Sequence, residues 1–306
     1  MTDLIVITGP TAVGKTAAAV ALAEKINGEI VSADSMQVYK YMDIGTAKPS
    51  ADELALAAHH MLGVVTPDEE FSAARYQRMA RACIDDIIKR GKTPVLAGGS
   101  GFYINAVLKD IAYDTTVIDD TYRDWLYRQA EANGAGYLHG WLKHADPVSY
   151  ETIHPNNVKR VARALEFYKE TGRRISAVNE TQKNSPLYYG AQIYILNMDR
   201  RLLYERIGAR TERMFAGGLV DEVRSLTRRG YAANLPPMRG LGYKEVMMYL
   251  NGAVDLPETI ENVKQATRNY AKRQLTWFRH QMDGTWMDVS EINDFDALIG
   301  GMMKYQ

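Results

Sequence analysis

Cysteine is almost missing from this chain: Cys83 is the single one among 306 residues. No internal disulfide is possible, so stability must come from a buried core. Ala82, Ile84, Ile87 and Ile88 surround Cys83 at helical spacing, which marks it as a small buried hydrophobe. Long hydrophobic runs are lacking as well. The N-terminal stretch Leu4-Ile5-Val6-Ile7 is too short for a signal sequence, and no stretch approaches the roughly 18 apolar residues of a membrane span. A cytoplasmic protein without membrane contact is therefore expected. Net charge is absent too, with 37 basic and 37 acidic residues. That balance is uneven along the chain: Arg200 to His280 holds fifteen Lys and Arg against eight Asp and Glu, while residues 1 to 112 hold eleven against thirteen. A basic C-terminal third can meet phosphates although the total is neutral. Histidine is scarce, at six residues, and the adjacent His59 and His60 cannot both face one metal from a regular element. We expect that pair to be packed or solvated.

What is present reads as a globular α/β protein. About 46% of residues are apolar and 24% charged, which excludes a disordered chain. Residues 3 to 8 form a buried strand, followed by a glycine turn and an apolar helix from Lys15 to Lys25. Further strands are predicted at Glu29 to Ala33, Lys92 to Ala97 and Gln192 to Leu196, with an amphipathic helix at Ser72 to Arg90. Each strand ends at glycine or polar residues, so chemistry should gather at the carboxyl ends of a parallel sheet. Between about residues 113 and 186 strand signals vanish. Asp120 to Asn133, Gly136 to His144 and Asn157 to Thr171 read as helices, the last capped by Asn157 and closed by Gly172. Helices resume at Arg200 to Phe215, Leu219 to Arg229, Tyr243 to Leu250 and Pro257 to His280. The expected organisation is a discontinuous core, 1–112 plus 187–306, interrupted by a helical insertion at 113–186.

Gly9-Pro10-Thr11-Ala12-Val13-Gly14-Lys15-Thr16 matches G-x-x-x-x-G-K-[ST] in full, between a predicted strand and a predicted helix. Such a loop points backbone N–H groups inward at a helix N-terminus. Lys15 adds a mobile charge and Thr16 a hydroxyl for Mg²⁺. The motif requires a diphosphate or triphosphate without deciding which. A motor ATPase also needs a second strand ending in an Asp for the metal, whereas Pro94 to Ala97 runs into Gly98-Gly99-Ser100. Asp34 is the one well-placed acid at a strand end.

Taken jointly, several blocks carry a family likeness: Gly9 to Thr16, Ser32-Ala33-Asp34-Ser35-Met36-Gln37-Val38-Tyr39, Met42 to Pro49, and Gly98-Gly99-Ser100-Gly101-Phe102-Tyr103. His154-Pro155-Asn156-Asn157, Arg239-Gly240-Leu241-Gly242-Tyr243 and Thr267 to Trp277 continue it. With these blocks the chain resembles the bacterial tRNA dimethylallyltransferases, also called tRNA isopentenyltransferases, over nearly its whole length. The resemblance implies a P-loop NTPase-like parallel sheet core with a helical insertion. It implies transfer of dimethylallyl from its diphosphate to N6 of the adenosine 3′-adjacent to the anticodon, with Mg²⁺ and a tRNA anticodon stem-loop as partner; a monomer is our expectation, on which the sequence itself is silent. An aryl-type amine is a weak nucleophile, so a carboxylate in reach of its proton would help; we assign Asp34 that role. By the same resemblance Arg210 meets the leaving diphosphate. Ser100 stands where the family more often has Thr and keeps the hydroxyl.

For the RNA, the expected contacts are Asp34, Ser35, Met36, Gln37 and Ser100 around the target base, and Arg239, Gly242 and Tyr243 in a glycine-flanked turn. Arg268, Lys272, Arg273 and Trp277 share one helix, which can set guanidinium groups beside an indole. Arg123, Lys159, Arg160 and Arg163 of the insertion complete the set. Asp43, before Ile44-Gly45, is as consistent with a turn as with a site residue. Three alternatives use the same loop differently: a small-molecule kinase, a prenyltransferase of free adenine nucleotides, and a non-catalytic RNA-binding protein.

Overall fold

The structure is a computed structural model and describes residues 3–110, 120–183, 185–290 and 295–303. The expected junction at 112 and 113 lies outside these residues. The chain packs as two compact units, Met1–Leu108 with Leu187–Gln306, and Lys109–Pro186.

The first unit opens with β1 (Leu4–Thr8), α1 (Lys15–Lys25), β2 (Gly28–Ser32), α2 (Ala51–Leu56), β3 (His59–His60), α3 (Ala73–Lys89), β4 (Thr93–Gly98) and α4 (Gly101–Leu108). The second unit holds α5 (Asp120–Asn133), α6 (Ala135–Gly140), α7 (Leu142–Ala145), α8 (Pro147–Thr152), α9 (Val158–Thr171) and α10 (Ile175–Lys183). The chain then returns to the first unit with β5 (Ala191–Asn197), α11 (Arg200–Ala216), α12 (Leu219–Arg228), α13 (Tyr243–Leu250), α14 (Leu256–Gln281), β6 (Thr285–Asp288) and α15 (Phe295–Met303).

Six parallel strands run in the order β3-β2-β4-β1-β5-β6. β1 is buried along its whole length, as a parallel strand covered on both faces requires. Alternate side chains feed two cores. Leu4, Val6, Val31 and Leu96 face α3, α4, α12 and α13, while Ile5, Ile7, Ile30 and Val95 face α1, α11 and α15. α14 contributes to both, through Phe278 on one side and Ala271 on the other. Register sets Thr8 beside Gly98 and Ser32 beside Ala97, so the carboxyl ends of β1, β2 and β4 lie level.

The second unit is all helical around Leu126, Leu138, Leu142, Val161 and Leu165. Asn157 caps α9 by accepting from the Arg160 amide, and Gly172 ends it at φ +68°. Buried Asp146 accepts from the amide and hydroxyl of both Ser149 and Ser176, tying α8 to α10. Among the described residues no helix is long and apolar enough to cross a membrane.

Several elements depart from the sequence expectation. Gly136 to His144 does not form one helix; the chain breaks at Trp141 into α6 and α7. Gly101 starts α4 immediately after the turn, because Ser100 O accepts from the Tyr103 and Ile104 amides. β3 has two residues and β6 four, too few to show a period.

Candidate active site

Three loops at the carboxyl ends of β1, β2 and β4 converge. In the first, Gly9 (φ +145°) and Gly14 (φ +105°) adopt backbone shapes that side chains disfavour, and Ala12 joins them at φ +66°. A Cβ at Gly9 would also lie 2.4 Å from the Leu196 carbonyl at the end of β5. Lys15 arches over this loop, its ammonium donating to Gly9 O at 3.0 Å and Pro10 O at 2.8 Å. Burial, and then the neighbouring Arg210, push its pKa down to about 7, with Asp34 acting in the opposite direction.

Asp34 leaves the end of β2 in a tight turn, its Oδ1 accepting from the Met36 amide at 2.8 Å and the Gln37 amide at 3.4 Å. Ser100, after β4, accepts from the Ser35 amide at 2.9 Å and donates to Ser35 Oγ at 3.1 Å. The β2 and β4 loops are thereby sewn together. Gln37 is held as well, accepting from Ser32 Oγ and donating to the carbonyls of Thr46 and Ala47. Arg210 reaches in from α11; burial lowers its pKa and the Asp34 charge opposes that shift.

Sequence reasoning missed three side chains. Gln274 of α14 accepts from the Thr11 amide at 2.8 Å and donates to Gly99 O at 2.9 Å, so one amide clasps the first and third loops. It lies among the buried residues of α14, between Ala271 and Phe278, and a polar residue among buried apolar ones was the available signal. Tyr270, one turn earlier, has its hydroxyl pKa raised by burial and by Asp34, with Ser100 and Gln274 acting in the opposite direction. Glu222 of α12 accepts from three successive amides, Asp43, Ile44 and Gly45 at 2.7, 2.7 and 3.0 Å, and from Tyr243 Oη at 2.7 Å. Asp43 itself pairs with Lys48 at 2.6 Å.

These loops bound two adjoining clefts. The first, about 920 Å³, is lined by the phosphate loop, Lys48, Arg206, Arg210 and Arg213. The second, about 490 Å³, is lined by Ser35, Met36, Arg239, Gly242, Tyr243 and Arg273. Thr11, Asp34, Arg210, Met214 and Tyr270 line both. One carboxylate and one guanidinium thus stand where the clefts meet. Thr16 lines the first cleft with Asp34. Among the described residues no group of three or more His, Cys, Asp or Glu could hold a metal ion. The hydroxyl oxygen of Thr16 suits Mg²⁺, provided that ligand oxygens complete its shell.

Other expected contacts fall elsewhere. Trp277 packs its ring on Gly101, where a Cβ would sit 2.3 Å from the indole. Lys272 is exposed, and Arg268 lies over Tyr204 with 6.0 Å from Cζ to ring centre; neither lines a cleft. In the second unit Arg123 and Arg163 both pair with Glu166, whose side chain is fully buried, and Lys159 and Arg160 are exposed. His60 bonds to Glu29 at 2.7 Å and His59 to Ala57 O at 2.8 Å, so the pair is packed. Cys83 is half-buried in α3, and burial raises its thiol pKa.

Comparison with known proteins places this geometry. The IPP transferase family model matches residues 37–281. A tRNA dimethylallyltransferase of Lachnoclostridium phytofermentans is 46% identical over 304 residues, covering 99% of this chain and 97% of that protein. The crystal structure of full-length tRNA isopentenylpyrophosphate transferase from Bacillus halodurans, 41% identical, superposes with a TM-score of 0.74 over 100% of this chain and 95% of the other. A eukaryotic dimethylallyltransferase acting on tRNA, 28% identical, gives 0.81 over 98% of this chain and 77% of its own. A phosphate loop on a parallel sheet, with a carboxylate and an arginine between two clefts, together with these matches, establishes that the chain belongs to the IPP transferase family.

Proposed function

We propose that this protein transfers dimethylallyl from dimethylallyl diphosphate to N6 of the adenosine 3′-adjacent to the anticodon of tRNA, giving N6-isopentenyladenosine. The observation that carries the reading is the meeting of the two clefts at Asp34 and Arg210. The first cleft suits a diphosphate, with loop amides, Lys15 and three arginines of α11 around it. The second suits a purine that has left its stack, a step costing a few kcal/mol that RNA contacts must offset.

In the reaction N6 attacks the allylic carbon, a new C–N bond forms, and the C–O bond to diphosphate breaks. The electron pair leaves with the diphosphate, whose growing charge Arg210 and Lys15 stabilise. The N6 proton passes to the Asp34 carboxylate. Ser100 and Tyr270 hold the target base beside that carboxylate. Mg²⁺, bound by Thr16 together with the donor's own oxygens, would neutralise part of the leaving charge. Arg239, Gly242, Tyr243 and Arg273 line the base cleft. Lys272 and Trp277 of α14, with Arg123, Lys159, Arg160 and Arg163 of the second unit, contact the stem-loop, and Arg268 supports α14 through Tyr204.

The kinase alternative lacks an acid at the end of β4, where Gly98, Gly99 and Ser100 stand instead. The test mixes protein, Mg²⁺, bulk tRNA and isotopically labelled dimethylallyl diphosphate, followed by nucleoside mass spectrometry. Label in N6-isopentenyladenosine is expected. Label confined to free nucleotides, or phosphate transfer from ATP to a metabolite without prenylation, would refute the reading.

A further inference from the structure

Phe102 is 71% exposed, the highest value among the exposed large hydrophobic side chains of the described residues. Its neighbour Tyr103 turns inward and stacks on Tyr76 at 3.9 Å, so the helix has a buried aromatic and an outward one side by side. Phe102 lies two residues beyond Ser100, whose hydroxyl is bonded to Ser35, the residue after Asp34. Its ring centre is 6.2 Å from that of Trp277, with 45° between the planes. Trp277 is itself wedged against Gly101 and meets Phe278 edge-on at 5.4 Å. The result is an aromatic step next in the chain to the reactive loops, with one ring left to solvent.

Its surroundings are basic. Arg273 and His280 are exposed on α14 one turn before and one turn after Trp277, on the same face of the helix. An apolar protein partner would have no use for that charge, whereas a strand of bases and phosphates matches both features. Base–aromatic stacking is tolerant of base identity and gains from cations that track the backbone.

We infer that Phe102, seated on Trp277, is a stacking platform for one unpaired nucleobase of the RNA strand flanking the reacting adenosine. The inference rests on the tRNA reading above and names a residue that reading does not require. Stacking there would hold the neighbouring base while the adenosine turns into the second cleft.

The experiment compares wild type with Phe102→Ala, Phe102→Leu and Phe102→Tyr, measuring KM separately for a synthetic anticodon stem-loop and for dimethylallyl diphosphate. Because the ring is exposed, all variants should keep the wild-type melting temperature. Phe102→Ala and Phe102→Leu should raise the RNA KM roughly 5- to 100-fold, leave the donor KM unchanged, and be rescued by Phe102→Tyr. Stem-loops carrying one abasic site at a time identify the base: at a single flanking position, wild type and Phe102→Ala should become equivalent. An unchanged RNA KM, a shift in the donor KM instead, or equal losses at every abasic position would overturn the inference. Failure of wild type to prenylate any RNA would instead overturn the functional reading beneath it.

Discussion

Asp34 has two tasks that separate cleanly by atom and by charge. Its Oδ1 builds the turn with Met36 and Gln37, and the carboxylate as a whole faces the meeting point of the clefts. Asparagine keeps an acceptor oxygen for the turn and loses the basicity. Asp34→Asn should therefore lower single-turnover prenyl transfer by about 10²- to 10⁴-fold with stem-loop affinity nearly intact; a rate within threefold of wild type would remove Asp34 from the proton's path. Glu29 has the opposite character, a buried carboxylate far from chemistry, bonded to Arg90, Lys92 and His60. The Arg90 hydrogen bond foremost, helped by Lys92 and His60, holds its pKa well below the ordinary 4.5. Below pH 4.5 the unfolded chain takes up a proton that the folded one refuses, so this stabilisation is complete above that pH and fades beneath it. Glu29→Gln should cost about 1 to 2 kcal/mol at neutral pH, with the gap to wild type closing as pH falls from 5 toward 2 in urea titrations. Asp34 was legible in sequence because it follows a strand. Glu29 was not, since its partners come from other elements and a lone acid in an apolar run has no local signature.

Among the elements, the loop from Asp43 to Lys48 forms the partition between the clefts. Ile44, Ala47 and Lys48 line the first, and Gly45 and Thr46 the second. Glu222 of α12 holds this partition through three amides and also grips Tyr243 at the start of α13. An amide in place of the carboxylate turns two of those donors toward an NH₂ group. Glu222→Gln should free the Asp43 to Gly45 amides to exchange and raise both the donor and RNA KM by about 3- to 10-fold; hydrogen exchange with parallel kinetics reads both, and protected amides with unchanged KM would contradict it. Helices with full amphipathic turns, such as α3 and α14, were legible from periodicity. The breaks at Trp141 and the short strands were not, because packing and neighbouring-strand hydrogen bonds set them rather than local propensity.

Across the full chain, electrostatics is uneven although the net charge is zero. If about four phosphates meet the basic helices, the stem-loop affinity should weaken roughly 50-fold between 50 and 200 mM salt, following a single-strand slope near −3. Charge reversal at Lys272 and Arg279 should flatten that slope by about 0.7 for each phosphate no longer neutralised; fluorescence anisotropy over stepped KCl measures it, and a slope near zero would place the RNA elsewhere. The phosphate loop, the longer strands and helices of the core, and the family were all readable from the linear chain, because turn chemistry and periodicity are written within windows of about ten to twenty residues. Folding in three dimensions was needed to bring Gln274 to Thr11 across 263 positions, to stand Tyr270 beside Asp34, and to turn Arg268 away toward Tyr204. Such pairings depend on how a 26-residue helix seats between two cores, which no local window encodes.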